Sequence, residues 1–430
     1  MAIQEGDSER EKKRGNEKWG EEVKVVVVVV SERMEEEGEC RERKNSAINR
    51  FEFCNPRIAR YVYGFMFLLM NVLAWIVRDY GHAFLDEFKR FEECEGGRYC
   101  LGTEGVLRVS LGGFIFFFVM FVSTVGTSKL SERRNTWHSG WWLVKTGAAF
   151  VLTPLPFLLP NVLIRAYGTV AHFGAGVFLL IQLISVISLF TWINDCCRSE
   201  KYVDKCRFQV VSISAAAYIF SMLGIVLMYV WYAPKLSCSL NIFFITGTLV
   251  LLHLMAWTSL HVTVNAGYLT PGLMGLYVVF LCWCAIRSEP PTESCNKKAE
   301  ATTSADWLSI ISFIMAVIAI VIATFSTGID SKSFQFKKVK AKSEADVPYG
   351  YGFFHFVFAT GAMYFCMLLI GWNVHHTMQK NLFFLCRWTI DVGWTSTWVR
   401  ILNEWLAACV YIWMLIAPLI WKNNQSSGTT

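Results

Sequence analysis

The sequence predicts an all-α, polytopic transmembrane protein. Of its 430 residues, 54% are hydrophobic and 17% are charged, whereas soluble domains carry nearer a quarter charged residues. The charge is concentrated in the first 57 residues, and long apolar runs dominate the remainder. Apolar windows of about 20 residues recur along those runs, and a helix of that length crosses a bilayer. These observations together indicate a bundle of membrane-spanning helices.

Three regions follow from this distribution. Residues 1–57 form a charged, low-complexity tail that we expect in the cytosol, residues 58–422 form the membrane domain, and residues 423–430 form a short polar tail. Because the first 24 residues lack an apolar core, they do not resemble a secretory signal. The basic residues belong to tails and loops rather than to one face, so we expect no nucleic-acid partner.

Ten apolar spans are predicted within the membrane domain. They are residues 58–77, 106–125, 141–163, 169–193, 209–232, 240–260, 267–286, 307–325, 353–372 and 403–421. A helix satisfies all of its own backbone polar groups, which is why each span is expected to be helical in lipid. The third span should be the least regular, because Pro154, Pro156 and Pro160 interrupt it.

An even number of crossings places both termini on one side of the membrane. The basic tail and the lysine-rich loop 332–342 predict that this side is the cytosol. The map then puts several cysteines in loops on the opposite side, where disulfides are permitted. The expected pairs are Cys94–Cys100 and Cys238–Cys295, with free thiols as the alternative.

One element is unusually long. No proline occurs between Val162 and Ala233, and the apolar run 169–193 continues into a helix-compatible polar stretch. A helix of about 35–40 residues exceeds the length that a perpendicular crossing needs. We therefore expect it to tilt strongly or to project from the membrane.

Catalytic signatures are absent from the sequence. It contains no Gly-Lys dipeptide, and hence no phosphate-binding P-loop, and it contains neither a Gly-x-Ser-x-Gly nor a His-Glu-x-x-His motif. His375-His376 and Cys282-x-Cys284 lack nearby partners that would complete a metal site. We therefore expect neither an enzyme nor a bound cofactor or metal.

Polar side chains within the spans are the remaining candidates for function, because ionisable groups in a membrane are costly. They are Arg60, Arg108, Lys145, His172, Gln182, His253, His355 and Glu404. Arg60, Arg108 and Glu404 lie near the ends of their spans, so we expect them to extend toward the head groups. His253 lies deeper, and we expect it to be a hydrogen-bonded histidine inside the bundle.

The other candidates leave two interpretations open. His172 and Gln182 share one helix with several small residues, so they either form interhelical hydrogen bonds or contact a substrate. His355 is expected near the cytosolic interface. Lys145 lies about 6 Å deeper than Trp141 and Trp142, and its stem is long enough to return the ammonium to the head groups. Alternatively, the ammonium faces a groove and pairs with a lipid phosphate.

Several segments resemble one known family. They are His138–Lys145 (HSGWWLVK), Leu180–Asp195, Ser288–Asn296, Tyr351–His355 and Tyr411–Pro418. They are similar, in order, to segments of the serine incorporator family, also called the TMS membrane proteins, and the similarity extends from about residue 55 to residue 422. The chain departs from animal members at its N-terminus, where a charged tail replaces a cysteine-rich apolar start.

The resemblance implies two helical bundles with one long diagonal helix, for which residues 167–205 are the candidate. It also implies facilitation of serine supply to phosphatidylserine and sphingolipid synthesis, movement of phospholipid between leaflets without ATP, or both. A structural or receptor-like protein without transport is the alternative. The implied partners are membrane phospholipids, serine and lipid-synthesis enzymes. A homo-oligomer is compatible with the sequence. The expected location is the endomembrane system or the plasma membrane. The candidate head-group contacts are Lys145, His172, Gln182 and His355.

Overall fold

The computed structural model describes residues 56–81, 98–198, 203–264, 266–290, 295, 314, 318, 321–327, 346–372 and 393–427. Within these residues all regular elements are helices, joined by turns and loops, and one isolated β-bridge connects Lys129 and Asp346. The helices are α1 (Pro56–Tyr80), α2 (Arg98–Thr124), α3 (Arg133–Ser139), α4 (Trp142–Leu152), a 3₁₀ helix (Leu155–Leu158), α5 (Asn161–Arg198), α6 (Val203–Tyr232), α7 (Ser239–Leu260), α8 (Leu269–Arg287), α9 (Tyr351–Leu369) and α10 (Trp394–Ser427). The all-α, polytopic class is thus confirmed.

Eight of the described helices are long and apolar enough to cross a membrane, and a bent pair of helices makes up to nine. The eight coincide with eight of the ten predicted spans, and the bent pair coincides with the predicted span 141–163. The predicted span 307–325 lies largely outside the described residues, although residues 321–327 are helical. The N-terminal tail up to residue 55 also lies outside them.

The helices pack into two bundles. The first bundle contains α1, α2, α4 and α9, and the second contains α6, α7, α8 and α10. Helix α5 belongs to both, because it packs against α2 and α9 and also against α6, α8 and α10. We call the end of the molecule at which α1 begins the proximal face, and the opposite end the distal face.

Small residues bring α2 and α9 close together in an antiparallel pair. A Cβ atom on Gly352 would lie 2.9 Å from the Val125 backbone, and one on Gly113 would lie 3.9 Å from Ala362. The start of α9 therefore lies beside the end of α2 at the proximal face. Because lipid offers helices no hydrophobic force toward one another, close packing of this kind is a main source of their association.

Helix α5 is the long element that the sequence predicted. It contains 38 residues and is thus about 57 Å long, well beyond the roughly 30 Å of a bilayer core. It begins at Asn161, before the predicted boundary at residue 167, because Pro160 can end the preceding segment but cannot continue a helix. Residues 199–202 lie outside the described part of the chain.

The third span is irregular around its prolines, as predicted, but its sharpest break precedes all three of them. Helices α3 and α4 meet at a bend of 65°. Trp141, at the bend, has a φ of 58° and lies in the left-handed region, which tryptophan rarely adopts. After α4 the chain continues as the short 3₁₀ helix around Pro156.

The two ends of this broken span lie at opposite faces of the molecule. Trp137 donates a hydrogen bond to Ser123 at the proximal end of α2, whereas Phe157 packs against Leu101 near the distal end of the same helix. The segment therefore crosses from one face to the other rather than folding back.

Candidate functional site

Lys145 lies inside the first bundle, with 1% of its surface exposed. Its Nζ donates a hydrogen bond of 2.9 Å to the carbonyl oxygen of His138. It also lies 4.4 Å from the ring centroid of Trp142 and 5.3 Å from those of Trp137 and Tyr63. An ammonium over aromatic faces is stabilised by the negative potential of the rings, and more strongly when it is desolvated.

Both expected positions of the Lys145 ammonium were therefore wrong. It neither returns to the head groups nor faces lipid, because α4 turns this residue toward α1 and α3. The bend at Trp141 ends α3 and leaves its last carbonyl groups without helical partners. Lys145 satisfies one of them, at the helix end where a cation is favoured.

A chain of hydrogen bonds continues from the same residue, His138. Its Nδ1 lies 3.0 Å from Nε2 of His355, and its Nε2 lies 2.9 Å from the Tyr349 hydroxyl. The Tyr349 hydroxyl in turn donates to the Pro56 carbonyl at the start of α1. The His138 ring also stacks on the Tyr351 ring, with centroids 3.9 Å apart.

The number of hydrogen atoms available to these side chains determines which group donates in each hydrogen bond. The hydroxyl of Tyr349 has one hydrogen, which goes to Pro56, so Nε2–H of His138 must donate to Tyr349. Nδ1 of His138 then accepts from Nε2–H of His355, and Nδ1 of His355 is left as an acceptor without a partner. Burial raises the pKa of Tyr349 well above its ordinary value, so the hydroxyl keeps the hydrogen that this arrangement needs.

These contacts make a closed polar cluster at the proximal face. Residues from α1, α3, α4 and α9 meet in it, and His138, Lys145 and His355 are all buried. Two of the predicted candidates, Lys145 and His355, thus lie in one cluster, because both form hydrogen bonds with His138. The arrangement joins helices, and its basic groups face protein rather than lipid.

His172 and Gln182 lie elsewhere, on α5. His172 contacts the carbonyl of Gly168 in its own helix at 2.9 Å and the Trp372 carbonyl, just after α9, at 3.0 Å. This is the interhelical hydrogen bond that was one of its two interpretations. Gln182 is half-buried farther along α5 and lies apart from the proximal cluster.

Arg108 and Glu404 do not extend toward the head groups, so that expectation was wrong. Arg108 is fully buried and donates to the carbonyls of Pro156 and Leu159 and to Asn161 Oδ1. It thereby supplies donors to backbone groups that the prolines of the third span leave without helical partners. Glu404 is fully buried in the second bundle, where it contacts Thr248. Arg60 is half-buried and lies over the Tyr61 ring.

One disulfide is present among the described residues, between Cys238 and Cys295. This is one of the two pairings that the sequence suggested, and it joins the start of α7 to the segment after α8 at the distal face. Cys94 lies outside the described residues, as does the side chain of Cys100. Within the described part of the chain, no group of three His, Cys, Asp or Glu side chains could hold a metal ion.

A polar row on the outer surface of the second bundle was not predicted. His253 is exposed on α7, contrary to the expectation of a histidine inside the bundle, and its Nδ1 contacts only its own helix, at the Leu249 carbonyl. Thr246, two turns earlier on the same face, lies 2.7 Å from the Tyr229 hydroxyl of α6. Sequence reasoning missed Thr246 and Tyr229, because hydroxyl side chains in a helix usually bond to their own backbone and give no signal.

The helices and their apolar outer surfaces define a multi-pass integral membrane protein. The sequence model of the Serine incorporator (Serinc) family matches residues 40–342 and 330–424, so the chain belongs to the Serinc family.

Relatives in that family are similar along most of their length. A "Probable serine incorporator" of Dictyostelium discoideum is 26% identical over 85% of this chain and 94% of its own length. "Serine incorporator 3" of Bos taurus is 23% identical over 87% of this chain and 93% of its own. "Serine incorporator 5" of Rattus norvegicus is 22% identical over 87% of this chain and 94% of its own length.

Proposed function

We propose that this protein moves phospholipid between the leaflets of the endomembrane system or plasma membrane without hydrolysing nucleotide. The observation that carries the proposal is the polar row formed by the exposed Thr246 and His253 and the half-buried Tyr229. His253 lies seven residues from the proximal end of α7, about 10 Å along the helix and thus within the hydrocarbon. An exposed ionisable group at that depth is costly, and such groups usually mark a transport path.

The chemistry of the row suits a lipid head group. If Nδ1–H of His253 donates to Leu249, Nε2 keeps a lone pair that faces outward. Thr246 donates to the Ile242 carbonyl at 2.6 Å, so the Tyr229 hydroxyl donates to Thr246 and keeps its own lone pairs. The row therefore offers hydrogen-bond acceptors, which match the ammonium group of an amino-phospholipid such as phosphatidylserine.

The surroundings of the row leave space for lipid. A Cβ atom on Gly247, next to Thr246, would meet no atom within 4 Å. Large apolar side chains flank the row, with Val250 and Trp257 exposed on the same helix. A head group could follow the polar side chains while its acyl chains stay against the apolar ones.

The test is a reconstitution of the purified full chain in liposomes that carry fluorescent phosphatidylserine in one leaflet. We expect the label to equilibrate between leaflets without ATP. Replacing His253 by Leu and Thr246 by Val together should slow equilibration about tenfold, which corresponds to about 1.4 kcal/mol of lost hydrogen bonding at the barrier. Thr169→Val is the matched control, because Thr169 is an exposed hydroxyl on α5 that bonds to its own helix.

The remaining outcomes separate the alternatives. If the His253/Thr246 variant equilibrates lipid at the wild-type rate, the polar row is not part of the lipid path. If the label does not move but serine incorporation by added synthases rises, the supply of serine implied by the relatives' names is the function instead. A protein that does neither is structural or receptor-like.

A further inference from the structure

A buried carboxyl group lies at the centre of the second bundle. Glu404 is ten residues into α10, about 15 Å from its distal end, and its side chain is 0% exposed. Its Oε1 lies 2.7 Å from Oγ1 of Thr248 on α7. The two helices also meet through Ser259 and Tyr411, whose hydroxyls are 3.0 Å apart, so α7 and α10 run parallel.

The hydrogen atoms around Thr248 show how this contact is made. Its hydroxyl also lies 2.8 Å from the Phe244 carbonyl one turn earlier, and a hydroxyl has one hydrogen to donate. If that hydrogen goes to Phe244, the contact with Glu404 needs a hydrogen from the carboxyl group. Both contacts are satisfied together only when Glu404 is a carboxylic acid that donates to Thr248.

The environment of Glu404 favours the same protonation state. Phe244, Ile245 and Leu252 of α7 belong to the apolar cluster around it. Its second oxygen, Oε2, has no hydrogen-bond partner in the described structure, and no described basic side chain forms an ion pair with it. A carboxylate with a bare oxygen in such surroundings is among the costliest groups to bury, whereas a neutral acid costs much less.

The other described titratable side chains near Glu404 do not supply a positive charge that pairs with its carboxyl group. Helix α8 contributes the buried thiol of Cys282, which interacts with Thr248. Arg400, one turn before Glu404 on α10, is half-buried and makes its contacts with other groups. Glu289 lies nearer the distal face, where it contacts Asn241.

We propose that Glu404 is a proton-binding site within the membrane, and that its bound proton joins α10 to α7 through Thr248. This site is independent of the phospholipid movement proposed above, although it lies on the inner side of the helix that carries the polar row. Its ligand is a proton, and the competing occupant of a buried carboxylate is a monovalent cation such as Na⁺.

Infrared spectroscopy of the purified full chain in lipid nanodiscs tests the site, because a protonated carboxyl group and a carboxylate absorb at different frequencies. At neutral pH and low sodium we expect a carboxylic-acid band in the wild type. The band should be lost in Glu404→Gln, whose amide can still donate to Thr248, and it should persist in Glu289→Gln. In Thr248→Val the band should remain but move to higher frequency, since the acid loses its acceptor.

The Thr248→Val measurement keeps the proposal testable even if Glu404→Gln does not fold. Absence of the band in the wild type, or a band unchanged by Glu404→Gln, would overturn the proposal. A band that sodium replaces with a carboxylate signal would do so as well, because the site would then hold a cation. None of these measurements depends on whether the protein moves lipid.

Discussion

A single basic side chain stabilises the bend between α3 and α4. The Lys145 ammonium spans the break at Trp141 and donates to the last turn of α3, while three aromatic rings surround it. Tyr63 of α1 donates to the same His138 carbonyl at 2.9 Å. One carbonyl oxygen therefore connects three helices.

Lys145→Met should lower the free energy of unfolding by roughly 2–4 kcal/mol, because a charge-assisted hydrogen bond and a buried cation–π contact are both lost. Lys235→Met is the control, since Lys235 is exposed in the loop before α7 and should change little. Thermal unfolding of both variants in detergent measures the difference. Equal unfolding midpoints for the wild type and Lys145→Met would show that the Lys145 ammonium contributes no stability.

The sequence identified these polar residues but not their partners. Lys145, Arg108 and Glu404 were recognised because a charge is conspicuous in an apolar span. Depth along a helix does not reveal which face a residue occupies, so their burial could not be predicted. Tyr63 and Tyr349, which complete the cluster around His138, come from distant segments and were not candidates at all.

Among the helices, span positions followed well from hydropathy, because apolar length is the property that a bilayer selects. The 3₁₀ helix after α4 followed from the prolines of the third span, and the length of α5 followed from their absence, whereas the bend between α3 and α4 was not predicted. The left-handed Trp141 had no such signal, because tryptophan has no preference for that conformation.

Helix α2 lies very close to the end of α4 at Gly112. A Cβ atom there would lie 2.5 Å from the Leu152 carbonyl oxygen and 2.8 Å from Cα of Thr153, and both are backbone atoms that cannot rotate away. We expect Gly112→Ala to destabilise the protein by roughly 1–3 kcal/mol.

Gly147→Ala in α4 is the matched control for that substitution. A Cβ atom on Gly147 would meet nothing within 4 Å, so alanine should be neutral or stabilising by up to about 1 kcal/mol through its helix propensity. The unfolding midpoint of Gly112→Ala should therefore fall, whereas that of Gly147→Ala should stay the same or rise. Equal losses would contradict the close approach.

At the level of the whole molecule, helix directions bear on the number of crossings. Gly267, just before α8, lies near Asn194 at the proximal end of α5, so α8 runs from the proximal to the distal face. Helix α9 runs the same way, because it is antiparallel to α2. Helix α8 thus ends at the distal face and α9 begins at the proximal face. We therefore still expect the predicted span 307–325, which lies largely outside the described residues, to cross the membrane between them.

The Cys238–Cys295 disulfide suggests which side each face occupies, since such bonds persist in oxidising compartments. We expect the distal face to be outside the cytosol and both termini to be inside it. An epitope inserted beside the exposed Leu236 should be protected in sealed endomembrane vesicles, and one beside Lys129 or at the N-terminus should be digested. Protection of the N-terminal tag would reverse the orientation.

Neither bundle is built from one continuous stretch of chain, and this constrains the order of biosynthesis. The first bundle is completed by α9 and the second by α10, so both wait for the last third of the protein to leave the ribosome. Until then, His138 lacks His355 and Thr248 lacks Glu404, and their polar groups enter the membrane without their final partners. We therefore expect a chain that is terminated before Tyr351 to be retained and degraded rather than to fold as a smaller membrane protein, which a pulse-chase measurement of its lifetime would check.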